Sequence, residues 1–433
     1  MSVQRRSRSR VVMLAALSLG VLATSASRAD APAPPDPLPL AWCLERAAQA
    51  NPEIAAKQAE AEAAARRVRP AGSLEDPRLA YTAMNIPVSA WELDASPMSG
   101  NQIELRQKLP FPGLLGNREA AARAAAEASG EEVRDQRLRV AAAVERSWAA
   151  LGFAQRALEI TDSNIELLRQ IAKIAEVKYR VGAGLQQDVM RAQVELTLRL
   201  GERLRRVATL RAQEARLSAL LDLSIANPLP RTETLRDTVP LPDLDLLLER
   251  LPETSPRLQA FAKQVVEEER AQRAVQLEGY PDFDLGIGYR LRNAVQGDPV
   301  SGDDFLSAGL TIRLPIDRGK WRDRIAERDA LLRRAKASQR GALAQLRDDV
   351  RATYADLQRA DAAVALFETG LLPQARESLE SSRSGYEVDK VDFLSLLDSQ
   401  IKLLNAEFGL VRAVTDRRVA FAALEGAVGE ALR

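Results

Sequence analysis

The sequence predicts a mainly α-helical protein with a small β part, in which two halves of one chain repeat the same succession of elements. Five short strings return 204 to 207 residues later, and the first of them, Asn51-Pro52-Glu53-Ile54, returns as Ser255-Pro256-Arg257-Leu258. A solenoid repeat would have a period of roughly 20–50 residues, so this long period indicates a duplicated half-protein. We predict a first structural repeat over residues 40–235 and a second over residues 236–433.

Residues 1–29 are predicted to be a signal peptide that is removed from the mature protein. Four arginines at positions 5 to 10 precede an apolar run of 13 residues at 11–23, which is too short to span a bilayer and typical of a signal sequence. A short membrane anchor is the alternative. Without this segment the chain has 56 Lys and Arg (61 − 5) against 60 Asp and Glu, a net charge of about −4 that disfavours nucleic-acid binding. Residues 30–39 follow as a proline-rich, extended leader.

Each half contains two strand-like segments, which we predict at about 77–86 and 101–109 in the first repeat and at 282–292 and 304–314 in the second. Apolar residues alternate with polar or small ones, so that one face of the last segment carries Leu306, Ala308, Leu310, Ile312 and Leu314. Alternation over ~9–11 residues is typical of transmembrane β-strands, although a hairpin packed on helices shows it too. Four strands cannot close a barrel, because the smallest bacterial barrels have about eight; strands that span a membrane would require several chains.

The remaining segments are predicted to be helices at 51–71, 117–180 and 186–222 in the first repeat and at 255–279, 320–386 and 392–428 in the second. Asn51 and Ser255 are good N-cap residues, and each stands before a proline at the first helical position. The segment 117–180 makes a rod of roughly 95 Å at about 1.5 Å per residue, and the two shorter helices of each half add up to a similar length. We expect paired rods whose apolar stripes pack against neighbouring chains.

The composition disfavours enzymes and metal sites. The chain has no histidine, one cysteine and five methionines, so Ser-His and Cys-His catalytic arrangements are impossible, and zinc or copper would find almost no ligands. We predict no enzymatic activity, no cofactor and no metal site. Cys43 cannot form a disulfide within the chain, and Ala41-Trp42 before it disfavours lipidation, so we interpret it as a helical cysteine.

These features together resemble the TolC-like outer-membrane efflux proteins over essentially the whole mature chain. The local strings that carry the resemblance are Asn51-Pro52-Glu53, Gln107-Lys-Leu-Pro-Phe-Pro-Gly113, Tyr179-Arg-Val-Gly182 and Tyr386-Glu-Val388. The resemblance implies a homotrimer in which twelve strands, four from each chain, form one transmembrane β-barrel in outer-membrane lipid. The long coiled-coil helices would form a trimeric α-barrel that crosses the periplasm of a Gram-negative bacterium.

The resemblance also implies a function and partners. The chain would be the passive exit duct of a tripartite efflux system, fed by an inner-membrane pump of RND type through a periplasmic adaptor (membrane fusion) protein. The Pro110-Phe-Pro-Gly113 string looks like the heavy-metal or cation efflux subgroup and favours metal cations, although that subgroup often has lysine where Leu114 or Leu115 stands. A duct for protein secretion or drug efflux, or a periplasmic coiled-coil adaptor or scaffold, is the alternative.

Candidate functional sites follow from the resemblance at two turns between helices, 179–184 and 386–391. The candidates for the adaptor-docking tip are Val181, Gly182, Ala183, Gly184, Val388 and Asp389. The candidates for a gate that closes the periplasmic mouth are Asp188, Tyr386, Lys390 and Asp398. Asp389 replaces a glycine of the family pattern but tolerates left-handed geometry better than most residues, and Lys390 stands next to Val391, the position of the family's arginine. Simple turns, solvated helix faces and local salt bridges are the alternatives.

Overall fold

The first repeat folds into four helices and two strands. The computed structural model describes residues 33–89, 91–92, 96–224, 228–234, 243–297, 299–300 and 302–432, and the predicted signal peptide lies outside them. The first repeat contains α1 (Leu40–Ala50), α2 (Pro52–Gly72), β1 (Arg78–Met84), β2 (Gly100–Leu109), α3 (Leu114–Arg180) and α4 (Gln186–Leu220). α3 is one unbroken helix of 67 residues, and it begins at Leu114 rather than at residue 117.

The second repeat has the same order of elements with one interruption. It contains α5 (Leu244–Thr254), α6 (Pro256–Glu278), β3 (Asp282–Leu291), β4 (Phe305–Arg313), α7 (Arg318–Leu366), α8 (Leu372–Glu387) and α9 (Phe393–Val428). The segment predicted as one helix over 320–386 is helical throughout, but a π-helical turn at Phe367–Leu371 separates α7 from α8. Pro373 has no N–H to donate one turn back. The ring of Phe367 lies against Gly409 of α9, where a Cβ would stand 3.0 Å from Phe367 Cδ1.

Helices α1 and α5, of 11 residues each, are not among the predicted helical segments, although Cys43 is a helical residue of α1, in agreement with its interpretation from the sequence. The residue that follows each of these helices is the N-cap of the next one. The side chain of Asn51 accepts a hydrogen bond from a backbone N–H of α2, and the side chain of Ser255 accepts one from a backbone N–H of α6. Pro39 supplies no side-chain cap for α1, but the N–H of Leu40 donates to Glu233 Oε1 at 3.1 Å. Burial of the apolar face also stabilises this short helix. Cys43 lies on that face, fully shielded from solvent, and burial raises the pKa of its thiol to about 12.

The four strands form one antiparallel sheet in the order β1-β2-β3-β4. The two repeats meet where β2 pairs with β3, with Ile103 opposite Tyr289 and Leu105 opposite Ile287. All nine residues of β4 are exposed. Large apolar side chains are also exposed along the other strands, namely Leu79, Tyr81, Ile103, Leu105, Ile287 and Tyr289. This exposure contradicts the alternative of a hairpin packed on helices, because helices would bury this face.

Helix α3 is the centre of the helical packing and contacts α2, α4, α6 and α9. The equivalent valines Val144 of α3 and Val350 of α7 are both fully buried, each in the apolar cluster of its own repeat. A buried ion pair joins the repeats, with Arg418 of α9 2.8 Å from Glu145 of α3. Within the described ranges, no helix combines the length and the apolar character needed to cross a membrane.

Candidate functional site at the helix turns

The first turn, between α3 and α4, is tight because one residue adopts a left-handed backbone. Gly182 has a φ of +78°, and its N–H donates to the carbonyl of Tyr179 at 3.0 Å, while that of Ala183 donates to the carbonyl of Lys178 at 2.9 Å. A Cβ at Gly184 would stand 3.0 Å from Lys178 Cβ. The chain therefore reverses over a few residues and brings α4 back along α3.

The second turn, between α8 and α9, repeats this geometry without a glycine at the left-handed position. Asp389, the counterpart of Gly182, has a φ of +61°, which aspartate tolerates better than most side chains. The N–H groups of Lys390 and Val391 both donate to the carbonyl of Gly385, at 2.8 and 3.2 Å. Asp392 then starts α9 by accepting a hydrogen bond from Ser395 N at 3.0 Å.

The docking candidates present apolar side chains to solvent at both turns. Val181 is 72% exposed and Val388 60%, and Leu185, which follows the candidates of the first turn, is 65% exposed. Exposed valine and leucine at the ends of two hairpins offer a small apolar contact surface. The structure leaves all six docking candidates at the surface or, for Gly184, half-buried.

Tyr386 is buried beneath the second turn, with 5% of its surface exposed. Its ring meets that of Phe393 edge-on at a centroid distance of 5.7 Å, inside an apolar cluster with Ile171 and Val189. Its hydroxyl oxygen is buried and has no hydrogen-bond partner among the described residues. Burial raises the pKa of Tyr386, and the charge of Asp188 adds to this effect.

Asp188 lies in the first turn of α4 and is half-buried. Burial raises the pKa of its carboxyl group, Arg191 opposes that change, and Asp392 reinforces it. The carboxylate of Asp188 is therefore near enough to Tyr386 to contribute to the raised pKa of its hydroxyl group. In the described part of the single chain, no hydrogen bond joins these two side chains.

The other two gate candidates lie at the surface. The side chain of Lys390 is exposed. Asp398 forms an ion pair with Lys402 one turn later on α9, at 2.7 Å, with the two side chains 61% and 66% exposed. This is the local salt bridge considered as the alternative for Asp398. Among the described residues, no group of three or more Cys, Asp and Glu side chains is placed to hold a metal ion.

The lysine that contacts the second turn is Lys178, which is not among the candidates predicted from the sequence. Its Nζ donates to the carbonyl oxygen of Tyr386 at 2.5 Å and to Asp389 Oδ1 at 2.6 Å, and it lies 4.7 Å from the centre of the Tyr386 ring. The repeat contains a signal for it: at the offset of 207 that relates Tyr179 to Tyr386, the counterpart of Lys178 is Gly385. Lys178 of the first repeat therefore corresponds to a glycine, which has no side chain, in the second repeat.

Comparison with known families identifies both halves. The sequence profile of the outer membrane efflux protein family matches the chain twice, at residues 43–223 and 247–430. The two matches cover one predicted repeat each and confirm the internal duplication. No curated protein sequence matches the chain significantly.

Solved structures of outer-membrane proteins share the fold. VceC of Vibrio cholerae superposes with a TM-score of 0.76 at 19% identity, over 91% of this chain and 97% of that one. CusC, studied for transmembrane channel formation, gives 0.75 at 16% identity over 90% and 92%. The open outer membrane channel MtrE of Neisseria gonorrhoeae gives 0.75 at 15% identity over 91% and 89%. At these identities the similarity shows the fold.

Proposed function

Because the chain belongs to the outer membrane efflux protein family, we propose that it is the exit duct of a tripartite efflux system. Proteins of this family are passive outer-membrane channels of Gram-negative bacteria that extend into the periplasm, and they are not enzymes. A periplasmic adaptor protein would dock at the helix turns. An inner-membrane pump of RND type would supply the energy for transport.

The strongest support for this proposal comes from the four-stranded sheet, on whose apolar side chains no described helix packs. Its apolar residues face outward, and β1 and β4 each have one edge that pairs with no other described strand. Unpaired backbone groups cannot lie in lipid, since each costs several kcal/mol there. Pairing β4 of one chain with β1 of the next would satisfy both edges, and three chains would close a sheet of twelve strands.

A second unpartnered surface supports a homotrimer. Helix α4 exposes apolar side chains at helical spacing, namely Met190, Val194 and Leu198. Residues three and four positions apart share one helix face, so these side chains form a stripe. A helix with such a stripe is stabilised when a neighbouring helix covers it, and in a trimer the neighbouring chain would provide that helix.

We further propose that Asp188, Tyr386, Lys390 and Asp398 contribute to closing the periplasmic mouth. The proximity of Asp188 to the buried Tyr386 supports this role for the first two residues. Three symmetry copies of each acid around one axis would attract cations and repel anions at a narrow opening. The exposed Val181 and Val388 support the docking of an adaptor at the same end.

Metal cations are the cargo that we favour, on the resemblance of the Pro110-Phe111-Pro112-Gly113 string to the cation efflux subgroup. In the fold this string forms the corner between β2 and α3, where Phe111 stacks on Tyr280 at a ring-centroid distance of 4.6 Å. Drug efflux and protein secretion use ducts of the same fold and are the alternative cargoes.

The test combines a pore measurement with a resistance profile. The protein purified from outer membranes should form pores in planar bilayers. A deletion strain should become hypersensitive to some of the cations Co, Zn, Cd, Cu and Ni, and the gene supplied in trans should restore resistance. Hypersensitivity to a drug panel alone would refute metal cations as cargo. Absence of pores together with unchanged resistance would refute the duct itself.

A further inference from the structure

We propose that Lys178 is a latch that fastens the second helical hairpin to the first and keeps the periplasmic mouth closed. The latch consists of Lys178 on α3 and of its two partners in the second turn, Tyr386 and Asp389. This inference rests on the proposed function for its consequence, the closed mouth. Its structural content, a restraint between two hairpins of one chain, stands independently of that function.

The contacts of Lys178 replace the water that its ammonium group loses in a nearly buried position. Its side chain is 12% exposed, and a lysine placed there without partners would lose its hydration without compensation. The hydrogen bonds to the Tyr386 carbonyl at 2.5 Å and to the Asp389 carboxylate at 2.6 Å supply two acceptors. The face of the Tyr386 ring, 4.7 Å away, adds a cation–π contact.

One of these acceptors belongs to the C-terminus of a helix. Tyr386 is the penultimate residue of α8, and the last four carbonyls of a helix have no partner within it. These carbonyls also carry the negative end of the helix dipole, which attracts a cation. The Tyr386 carbonyl also accepts the N–H of Asp389 at 3.3 Å, so Lys178 is a second, charged donor at the C-terminus of α8. It is supplied by a different helix, and moving α8 away would remove it.

The ion pair of Lys178 joins two different hairpins, whereas those of the neighbouring charged residues stay within one helix. Lys173 and Arg180 of α3 both pair with Glu176 of the same helix, at 3.1 and 2.5 Å. Arg383 likewise pairs with Glu387 within α8, at 3.4 Å. Among the ion pairs of the described turn residues, the one from Lys178 to Asp389 spans 211 positions and joins the hairpins.

The asymmetry of the repeats makes this connection possible. The counterpart of Lys178 is Gly385, whose carbonyl accepts the N–H groups of Lys390 and Val391. A Cβ at Gly385 would stand 2.5 Å from Val391 Cγ2, so a side chain there would displace the turn. The compact second turn thereby places Asp389 and the Tyr386 carbonyl within reach of the lysine.

Separating the hairpins would break all three contacts of Lys178 at once. A hydrogen bond from a charged donor is strong enough to change an equilibrium by about tenfold or more. Since Asp389 is 68% exposed, salt will weaken its part of the latch, whereas the contacts with Tyr386 are shielded. Loss of the lysine charge should therefore shift the mouth toward open states by about tenfold.

The test compares Lys178→Met with Lys173→Met. Methionine retains most of the lysine stem and removes the cation, and Lys173 is the matched control because its ion pair stays within α3. Spin labels on Ala183→Cys and Val388→Cys report the distance between the two turns by pulsed electron resonance, and the native Cys43 is buried and will not be labelled. The latch predicts a broader, longer distance distribution in Lys178→Met and an unchanged one in Lys173→Met.

The same variants are then recorded in planar bilayers. Lys178→Met should raise the open probability by about tenfold, and Asp389→Asn should raise it less. The double variant should have the open probability of Lys178→Met, because the contact that Asp389→Asn weakens is already absent once the lysine is replaced. Unchanged label distances in a folded Lys178→Met protein overturn the latch. If wild type forms no pores but the distances widen as expected, the proposed duct fails while the latch stands.

Discussion

The buried ion pair between Glu145 and Arg418 yields the most quantitative prediction. The two side chains are 6% and 4% exposed and lie 2.8 Å apart, on α3 of the first repeat and α9 of the second. The change Arg418→Met removes the cation and leaves a buried carboxylate without this partner. Breaking a buried pair in this way typically costs about 3–5 kcal/mol, so we expect a loss of that size in the free energy of unfolding.

The expected shift in melting temperature follows from the size of the chain. At about 2.1 cal/mol/K per residue, 433 residues have an unfolding entropy of about 0.9 kcal/mol/K. A loss of about 3–5 kcal/mol then lowers the apparent midpoint by about 3–6 °C, measured by circular dichroism in detergent. The control is Arg359→Met, which removes an exposed pair within α7 and should cost about 1 kcal/mol or less.

A double variant separates a broken pair from a lost contact. Glu145→Leu with Arg418→Met replaces both charges by apolar groups, and such replacements are often neutral or stabilising by about 1–4 kcal/mol. The double variant should therefore melt at or above the wild-type midpoint. A shift of less than about 1 °C in Arg418→Met, or a double variant as unstable as the single one, would show that this ion pair does not stabilise the packing between the repeats.

Three further predictions concern the π-helical turn, the gate and the buried thiol. Gly409→Ala should lower the free energy of unfolding by about 1–3 kcal/mol, because its Cβ would overlap the ring of Phe367. Gly341→Ala, which has open space around it, should raise the free energy of unfolding by up to about 1 kcal/mol. Equal melting midpoints of the two variants would contradict this prediction. Asp188→Ala with Tyr386→Phe should raise single-channel conductance, and unchanged conductance would exclude this pair from the gate. Since burial raises the pKa of Cys43 to about 12, maleimide at pH 8 should label it only after denaturation, and rapid labelling of the folded protein would show an exposed thiolate.

The sequence predicts those parts of the fold that depend on local patterns. The alternation that predicts β4 and the cap residues Asn51 and Ser255 are local signals, and the structure contains the strand and both caps. The family profile confirms the resemblance to TolC-like proteins, and with it the outer-membrane location and the absence of enzymatic activity. The alternative of a periplasmic adaptor is not supported by this family assignment.

The features that the sequence did not predict depend on contacts between distant parts of the chain. The π-helical turn involves Phe367 lying against Gly409. Helix α1 depends on the distant Glu233, which accepts the N–H of Leu40, and on burial of residues such as Cys43. Lys178 looks like an ordinary lysine in the last turn of a helix until the second turn is placed beside it. Each of these features is decided by tertiary packing, which overrides local propensity.

The most direct test of the account is a cross-link between the free edges of the sheet. Cysteines introduced at Thr82 of β1 and Ser307 of β4, joined by a short bismaleimide in native outer membranes, should link neighbouring chains. Three chains that close one sheet predict a ladder on denaturing gels that stops at the covalent trimer. Absence of any ladder, or a ladder that continues beyond three chains, would contradict the shared sheet on which the duct depends.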